Sequence, residues 1–265
     1  MGPGYALVTG ASRGLGKYFA RALAARQHPL VLVARNNEQL TKIAAELEKE
    51  HAIRAEILPL DLAVPEAGQR LTEQLEARDL KIDLLVNNAG FGDQGEFVKL
   101  SLERQLKMIQ LQNSTVVELT YKLLPAMIEQ RRGGIINVSS MAGLQPIPYA
   151  TIYSATKSFL TTFSLALEAE VRRYNVAVVT LCPGRLRADP EEEEARREKV
   201  PGGEQSHEEV VRHALQMLDR GGGLVIPGAI NNLAAFAERF IPRSRIARLI
   251  AKMTKPRRPE QKNAS

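Results

Sequence analysis

Apolar residues fall in short runs, separated by stretches in which they recur at helical spacing. Tyr5 to Thr9 is a brief apolar run that suits a buried parallel strand, and Leu15, Phe19 and Leu23 then mark one helix face. The alternation continues. Strands are predicted over Leu30 to Ala34, Ile53 to Leu60, Ile82 to Val86, Ile135 to Val138, Val176 to Leu181 and Leu224 to Ile226. Helices are predicted over Glu38 to His51, over Pro65 to Arg78 with proline in the first turn, from a Ser101 cap to about Gln130, and after Pro148. Ser206 and Glu209 form a capping box for a further helix to Asp219.

Between the first strand and first helix lies Thr9-Gly-Ala-Ser-Arg-Gly-Leu-Gly16. Glycines at 10, 14 and 16 let the backbone turn tightly and approach a phosphate, while the helix start offers N–H groups and a positive dipole end. A pyrophosphate fits such a turn, and the pattern predicts an α/β fold: a single-domain, Rossmann-like, doubly wound parallel sheet of about seven strands with helices on both faces, over residues 1–230. At the end of the second strand, where an acidic residue would bind the ribose hydroxyls of NAD, stand Ala34, Arg35 and Asn36. Arg13 and Arg35 together could converge on a 2′-phosphate, which favours NADP(H) over NAD(H).

Chemistry concentrates between Ser140 and Lys157. Tyr153 and Lys157, at i and i+4 in Tyr-Ser-Ala-Thr-Lys, share a helix face. A free phenol titrates at about 10, too high for efficient proton exchange near neutrality. A cation at about 4 Å in an effective dielectric of about 20 contributes roughly 4 kcal/mol, enough to lower the phenol by up to about three units before desolvation opposes it. The same pair on its own also fits a half-buried tyrosine beside a solvated lysine. Asn113 falls inside the helix after Ser101, an unfavourable place for asparagine that asks for a reason: a solvated side chain, a bend or held water.

Composition narrows the partners. A chain of 265 residues, 44% of them hydrophobic, can bury one sizeable core. The single cysteine, Cys182, excludes an internal disulfide and reads as a small buried residue, and the four histidines show no metal-ligand spacing; no metal is expected. With neither a signal-like N-terminus nor a spanning apolar run, a cytoplasmic protein is expected. The net charge of +6 collects in the last stretch, from Arg239 to Lys262, so it says little about the core, and no nucleic-acid partner is expected.

Thr9-Gly-x-x-x-Gly-x-Gly16, Asn87-Asn-Ala-Gly90, Asn113, Ser140, Tyr153-x-x-x-Lys157 and Pro183-Gly184, in that order, resemble the short-chain dehydrogenases/reductases, the compact single-domain branch. The resemblance covers about Tyr5 to Gly184. It implies that Tyr153 protonates a carbonyl oxygen, Lys157 lowers the phenol pKa and holds the nicotinamide ribose, Ser140 orients the carbonyl and Asn113 supports a water relay. It also implies cofactor contacts from Gly10, Ser12, Arg13, Gly14, Leu15, Gly16, Arg35, Asp61, Leu62, Asn88, Ala89, Gly90, Pro183, Gly184 and Leu186, besides Tyr153 and Lys157. Ser139 is left a strand-end role. Ala188 stands where many relatives carry a threonine that contacts the nicotinamide amide.

Phe91, Met141, Leu144, Ile147, Tyr149 and Leu186 are expected to line an apolar substrate pocket, which favours a hydrophobic ketone or aldehyde; Arg185 and Arg187 remain candidate anion clamps. Residues 185–205 are expected to form a lid or a solvated helix, with an Asp189 cap and the pairs Glu192/Arg196 and Glu193/Arg197. Residues 231–256 form a basic amphipathic extension suited to the pocket, a sister subunit or an anionic membrane, and 257–265 a disordered tail. A homodimer or homotetramer through the long helices is implied by the resemblance. Three readings follow: an NADPH-dependent carbonyl reductase, a non-catalytic NADP(H)-binding regulator, and a membrane-associated 3-oxoacyl reductase.

Overall fold

The computed structural model describes residues 4–187, 204–238 and 240–253. Seven parallel strands form one sheet: β1 (Tyr5–Thr9), β2 (Leu30–Ala34), β3 (Ala55–Pro59), β4 (Ile82–Asn87), β5 (Gly133–Val138), β6 (Val176–Leu181) and β7 (Gly222–Val225). Their order across the sheet is β3-β2-β1-β4-β5-β6-β7. The chain therefore winds outward in both directions from the β1/β4 pair, and the crevice above the carboxyl ends of those two strands is the place where such sheets bind ligands.

Helices cover both faces, which is why the strands are nearly continuous in apolar residues. On β1, Ala6 and Val8 point to one face and Leu7 to the other, the alternation any strand imposes. The first face is covered by α1 (Gly14–Ala25), α2 (Asn37–His51) and α7 (His207–Asp219), through Phe19, Leu23, Leu40, Leu47, Val210 and Leu215. The second is covered chiefly by α3 (Ala67–Ala77) and α5 (Thr115–Glu129), through Leu71, Leu75, Leu119 and Met127, with Val171 from α6 (Thr151–Val171). Several helix starts are capped, those at Ser101 and Ser206 as the sequence predicts. Asn36 accepts from the Gln39 amide, Ser101 from that of Arg104 and Ser206 from that of Glu209.

Several strand ends shift by one or two residues, and two helices depart further from expectation. α3 starts at Ala67, beyond Pro65, because Glu66 adopts a left-handed conformation (φ 61°) that a helix cannot continue. The helix expected from Ser101 to about Gln130 runs as α4 (Leu102–Ile109), a π-helical turn at Gln110–Ser114, and then α5. After β7, α8 (Ala229–Glu238) and α9 (Arg243–Met253) divide the basic extension. Of the expected lid, residues 188–203, with Ala188, Asp189 and both Glu/Arg pairs, lie outside the described residues, as does the 257–265 tail.

Candidate active site

The glycine turn and the β4 end are built as one unit. The Thr9 hydroxyl donates to the Val86 carbonyl and accepts from the amides of Asn88 (2.9 Å) and Ala89 (3.0 Å). The Asn88 side-chain Nδ2 donates in return to the Thr9 carbonyl at 2.8 Å. Gly10 needs a φ of +67°, and a Cβ on Gly16 would collide with the Gly10 carbonyl and the Asn88 side chain. α1 starts at Gly14, and its first turn carries no carboxylate of its own to offset the positive dipole end. Open space lies beside Gly14, where a Cβ would meet nothing within 4 Å. This cradle fits a dinucleotide phosphate, and Gly10, Ser12, Arg13, Gly14, Leu15 and Gly16 all lie on it.

Asn88 and Ala89 hold the turn as well as flanking it, and Gly90 leaves room for the Gln112 side chain, which a Cβ would approach to 2.9 Å. At the β2 end Arg35 is exposed. The Asp61 carboxylate accepts from the Ala63 amide at 2.9 Å, while the Leu62 side chain belongs to the core. Lys107 on α4 is held first by its hydrogen bond and charge pairing with Glu103, and it also feels the attraction of Asp61 and the repulsion of Arg35. Arg35, Asp61 and Lys107 therefore share one neighbourhood. Lys107 was not legible in the sequence, where it is one of an i,i+4 pair; only the packing of α4 brings it there.

Ser140 leaves the β5 end and Tyr153 and Lys157 rise from α6. Lys157 is buried, and its ammonium donates to the Val138 carbonyl at 2.7 Å. Burial lowers its pKa from 10.5 to about 8, Cys182 acting in the opposite sense. The Lys157 Nζ lies 5.9 Å from the Tyr153 ring centroid. For Tyr153 the expected lowering by lysine is not what the fold gives. Burial raises the phenol above its ordinary value, and the hydrogen bond with the Ser140 side chain is what opposes the rise. The lysine is committed to the strand end, and burial sets the direction of the shift.

The π-helical turn supplies the reason for Asn113. It turns both Gln112 and Asn113 inward, where Asn113 donates to the Thr156 carbonyl at 3.2 Å and Gln112 to the Phe91 carbonyl at 3.1 Å. The Asn113 Oδ1 and Gln112 Oε1 are buried without a protein partner among the described residues, as sites for held water would be. Gln112 carried no such signal in the sequence, because glutamine, unlike asparagine, is a good helix former. Gly143, unnoticed in the sequence, lets the turn after Ser140 lie on α6: a Cβ there would come within 2.6 Å of the Lys157 carbonyl. Ser139 is structural, bonded through its hydroxyl to Thr161 at 2.7 Å and to the Lys157 carbonyl at 2.9 Å.

Beyond β6, the Pro183 carbonyl accepts from the Met141 amide, and the Gly184 amide donates to the Gln205 side chain. Leu186 pairs with Gln205 in an isolated bridge and packs against the core. Arg185 forms an ion pair with Glu204 at 3.4 Å, which occupies one of the two candidate anion clamps. The Gly95 amide bonds to the Tyr149 carbonyl at 2.7 Å, tying the loop after Phe91 to the segment before α6. Cys182 is fully buried and burial pushes its thiol up, in keeping with a packing role. Among the described residues no cluster could hold a metal ion, and no helix is long and apolar enough to cross a membrane.

Residues 4–199 match the model of a family described as short chain dehydrogenase. The very-long-chain 3-oxoacyl-CoA reductase of Anas platyrhynchos is 35% identical over 191 residues, covering 69% of this chain and 61% of the relative. The ketoacyl reductase HetN of Nostoc sp. is 35% identical over 178 residues, covering 67% of this chain and 62% of the relative. The chain thus matches less than two thirds of the length of these curated relatives. A short-chain dehydrogenase from Sphingobium yanoikuyae, solved in complex with NADPH, is similar at 29% identity and a TM-score of 0.79 over 99% of both chains. The bulky-bulky ketone specific alcohol dehydrogenase from Comamonas testosteroni is similar at 26% identity and a TM-score of 0.78, over 100% of this chain and 98% of the other.

Proposed function

We propose, from the premise that this chain belongs to the short-chain dehydrogenase family, that it is an NADPH-dependent oxidoreductase that reduces the ketone or aldehyde of a hydrophobic substrate. The observation that carries this reading is the meeting of Ser140 and Tyr153 beside the β5 end, with Lys157 beneath them. A bound nicotinamide supplies hydride. Tyr153 donates the proton to the carbonyl oxygen, Ser140 orients that oxygen, and buried Lys157 holds α6 to Val138 and offers an ammonium to the nicotinamide ribose. Asn113 and Gln112 present their oxygens to water that resupplies the proton. The reverse reaction uses the same groups in reverse order.

Gly10 to Gly16, with Asn88 to Gly90, would hold the pyrophosphate side of the cofactor, Pro183, Gly184 and Leu186 the nicotinamide side, and Asp61 and Leu62 the adenine side. Arg13 and Arg35 favour a 2′-phosphate, and Lys107 near Arg35 adds to that positive field. Phe91, Met141, Leu144, Ile147 and Tyr149 give the substrate side its apolar character. A 3-oxoacyl thioester is the second reading, favoured by the names of the curated relatives. Apolar residues left exposed on α4, α5 and α6, among them Leu102, Leu106, Tyr121 and Phe159, suit a second copy of the chain.

Oxidation of NADPH and of NADH, followed against aldehydes, bulky ketones and 3-oxoacyl thioesters, tests the reading. Turnover with NADPH on an apolar carbonyl is the expected result, and binding of nucleotide with no turnover on any of them would leave the non-catalytic regulator.

A further inference from the structure

Residues 231–265 contain nine Lys/Arg and two Asp/Glu, a surplus of +7 in a chain whose total is +6, so that residues 1–230 sum to −1. These residues also lie beyond the stretch that matches the family, which ends at residue 199. α8 is mostly apolar yet has no buried residue. Ile230 (68%), Leu233 (69%), Phe236 (56%) and Phe240 (74%) are exposed, and the rings of Phe236 and Phe240 pack edge to face on each other at 5.3 Å. On α9, Ile246 turns inward. Leu249 emerges 61% exposed, with Arg245, Arg248 and Lys252 on the same helix face, and Arg243 is exposed at the start of that helix. None of these four cations pairs with a carboxylate among the described residues.

We propose that α8 and α9 dock on an anionic lipid bilayer, with Leu233, Phe236, Phe240 and Leu249 entering the boundary between headgroups and acyl chains and Arg243, Arg245, Arg248 and Lys252 meeting the lipid phosphates. Apolar side chains ringed by cations match the layered chemistry of that boundary. A symmetric contact with a second copy would set these cations against their own equivalents, and the apolar face of α4, α5 and α6 is available to a copy without that repulsion. A nucleic acid would answer the cations but leave Leu249 and Phe236 in water. The N-terminal end of α8 is anchored at the site: Asn231 packs on Gly184, and Gln205 joins the Gly184 amide to the Pro227 carbonyl. Docking therefore brings the bilayer to the β6–β7 edge of the sheet, beside the Pro183-Gly184 segment that bonds to Met141.

Co-sedimentation of the full chain with phosphatidylcholine vesicles, with or without phosphatidylglycerol, tests this at low and high salt. Binding is expected only with phosphatidylglycerol and should weaken as salt rises. Each cation near the surface contributes about fivefold, so Arg243→Gln, Arg245→Gln and Arg248→Gln together should cost about a hundredfold. Phe236→Ser with Leu249→Ser should cost at least about tenfold, and should that pair fail to fold by circular dichroism, Leu249→Ser alone carries the apolar arm. The proposal is overturned by no sedimentation, or by equal binding to neutral vesicles. It is equally overturned by binding to duplex DNA that ignores the serine substitutions, or by loss of a lipid-free oligomer on those substitutions, which would assign the face to a second copy.

Discussion

Lys157 puts a measurable pH dependence into the stability of the fold. Its folded pKa of about 8 lies below the ordinary 10.5. A lysine depressed in this way costs stability wherever it is protonated in both states, which is below about pH 8. Between about 8 and 10.5 the unfolded chain binds the additional proton, so stability rises with pH across that window. At about 1.36 kcal/mol per unit the rise amounts to about 3 kcal/mol, most of it present by about pH 10. Lys157→Met removes the titrating group. It also leaves the Val138 carbonyl without its 2.7 Å donor, at a cost of about 1–3 kcal/mol. The variant should therefore be close to wild type near neutrality and fall behind by about 3 kcal/mol as pH approaches about 10. Urea unfolding of both proteins without added nucleotide, from about pH 7 to about pH 10, reads the difference, and titrations common to both cancel. A difference that stays constant with pH would refute the reasoning.

Arg35→Ala should weaken NADPH binding ten- to a hundredfold, the loss of one charge-assisted contact of about 1.5–3 kcal/mol, while NADH changes by less than about threefold. Fluorescence titration with each nucleotide checks this, and equal losses would remove the 2′-phosphate role. Gly16→Ala places a methyl on the Gly10 carbonyl and within 2.6 Å of the Asn88 amide. It should lower stability by about 1–3 kcal/mol and nucleotide affinity by at least about tenfold. Unchanged affinity would mean that the phosphates bind elsewhere.

The strands were legible because a sheet covered on both faces demands unbroken apolar runs; β1, β2 and β6 have the bounds expected of them. The glycine turn was legible because positive φ at Gly10 and the close approach at Gly16 leave no other residue type. Asn113 stood out as a polar group in a helix, but the π-helical turn that employs it depends on contacts with α6 that no spacing encodes. The state of Tyr153 was misread for a similar reason. The i,i+4 spacing places the ammonium on the right face, whereas the balance between its charge and desolvation is set by Val138 and the packing around both groups. Lys107 is the clearest case of a residue that only tertiary structure brings into view. In the C-terminal extension the amphipathic pattern was visible, but its division into α8 and α9, and the exposure of nearly all its large apolar side chains, were not.

The account rests on the Tyr153 hydroxyl as the group that passes a proton to the carbonyl oxygen. Tyr153→Phe deletes that one atom and preserves the ring, so NADPH binding by fluorescence and turnover on the best carbonyl substrate can be measured on the same preparation. Affinity within about threefold of wild type, with turnover reduced by 10²–10⁴, roughly the contribution of a positioned general acid, is the predicted result. Turnover retained at the wild-type level would contradict it.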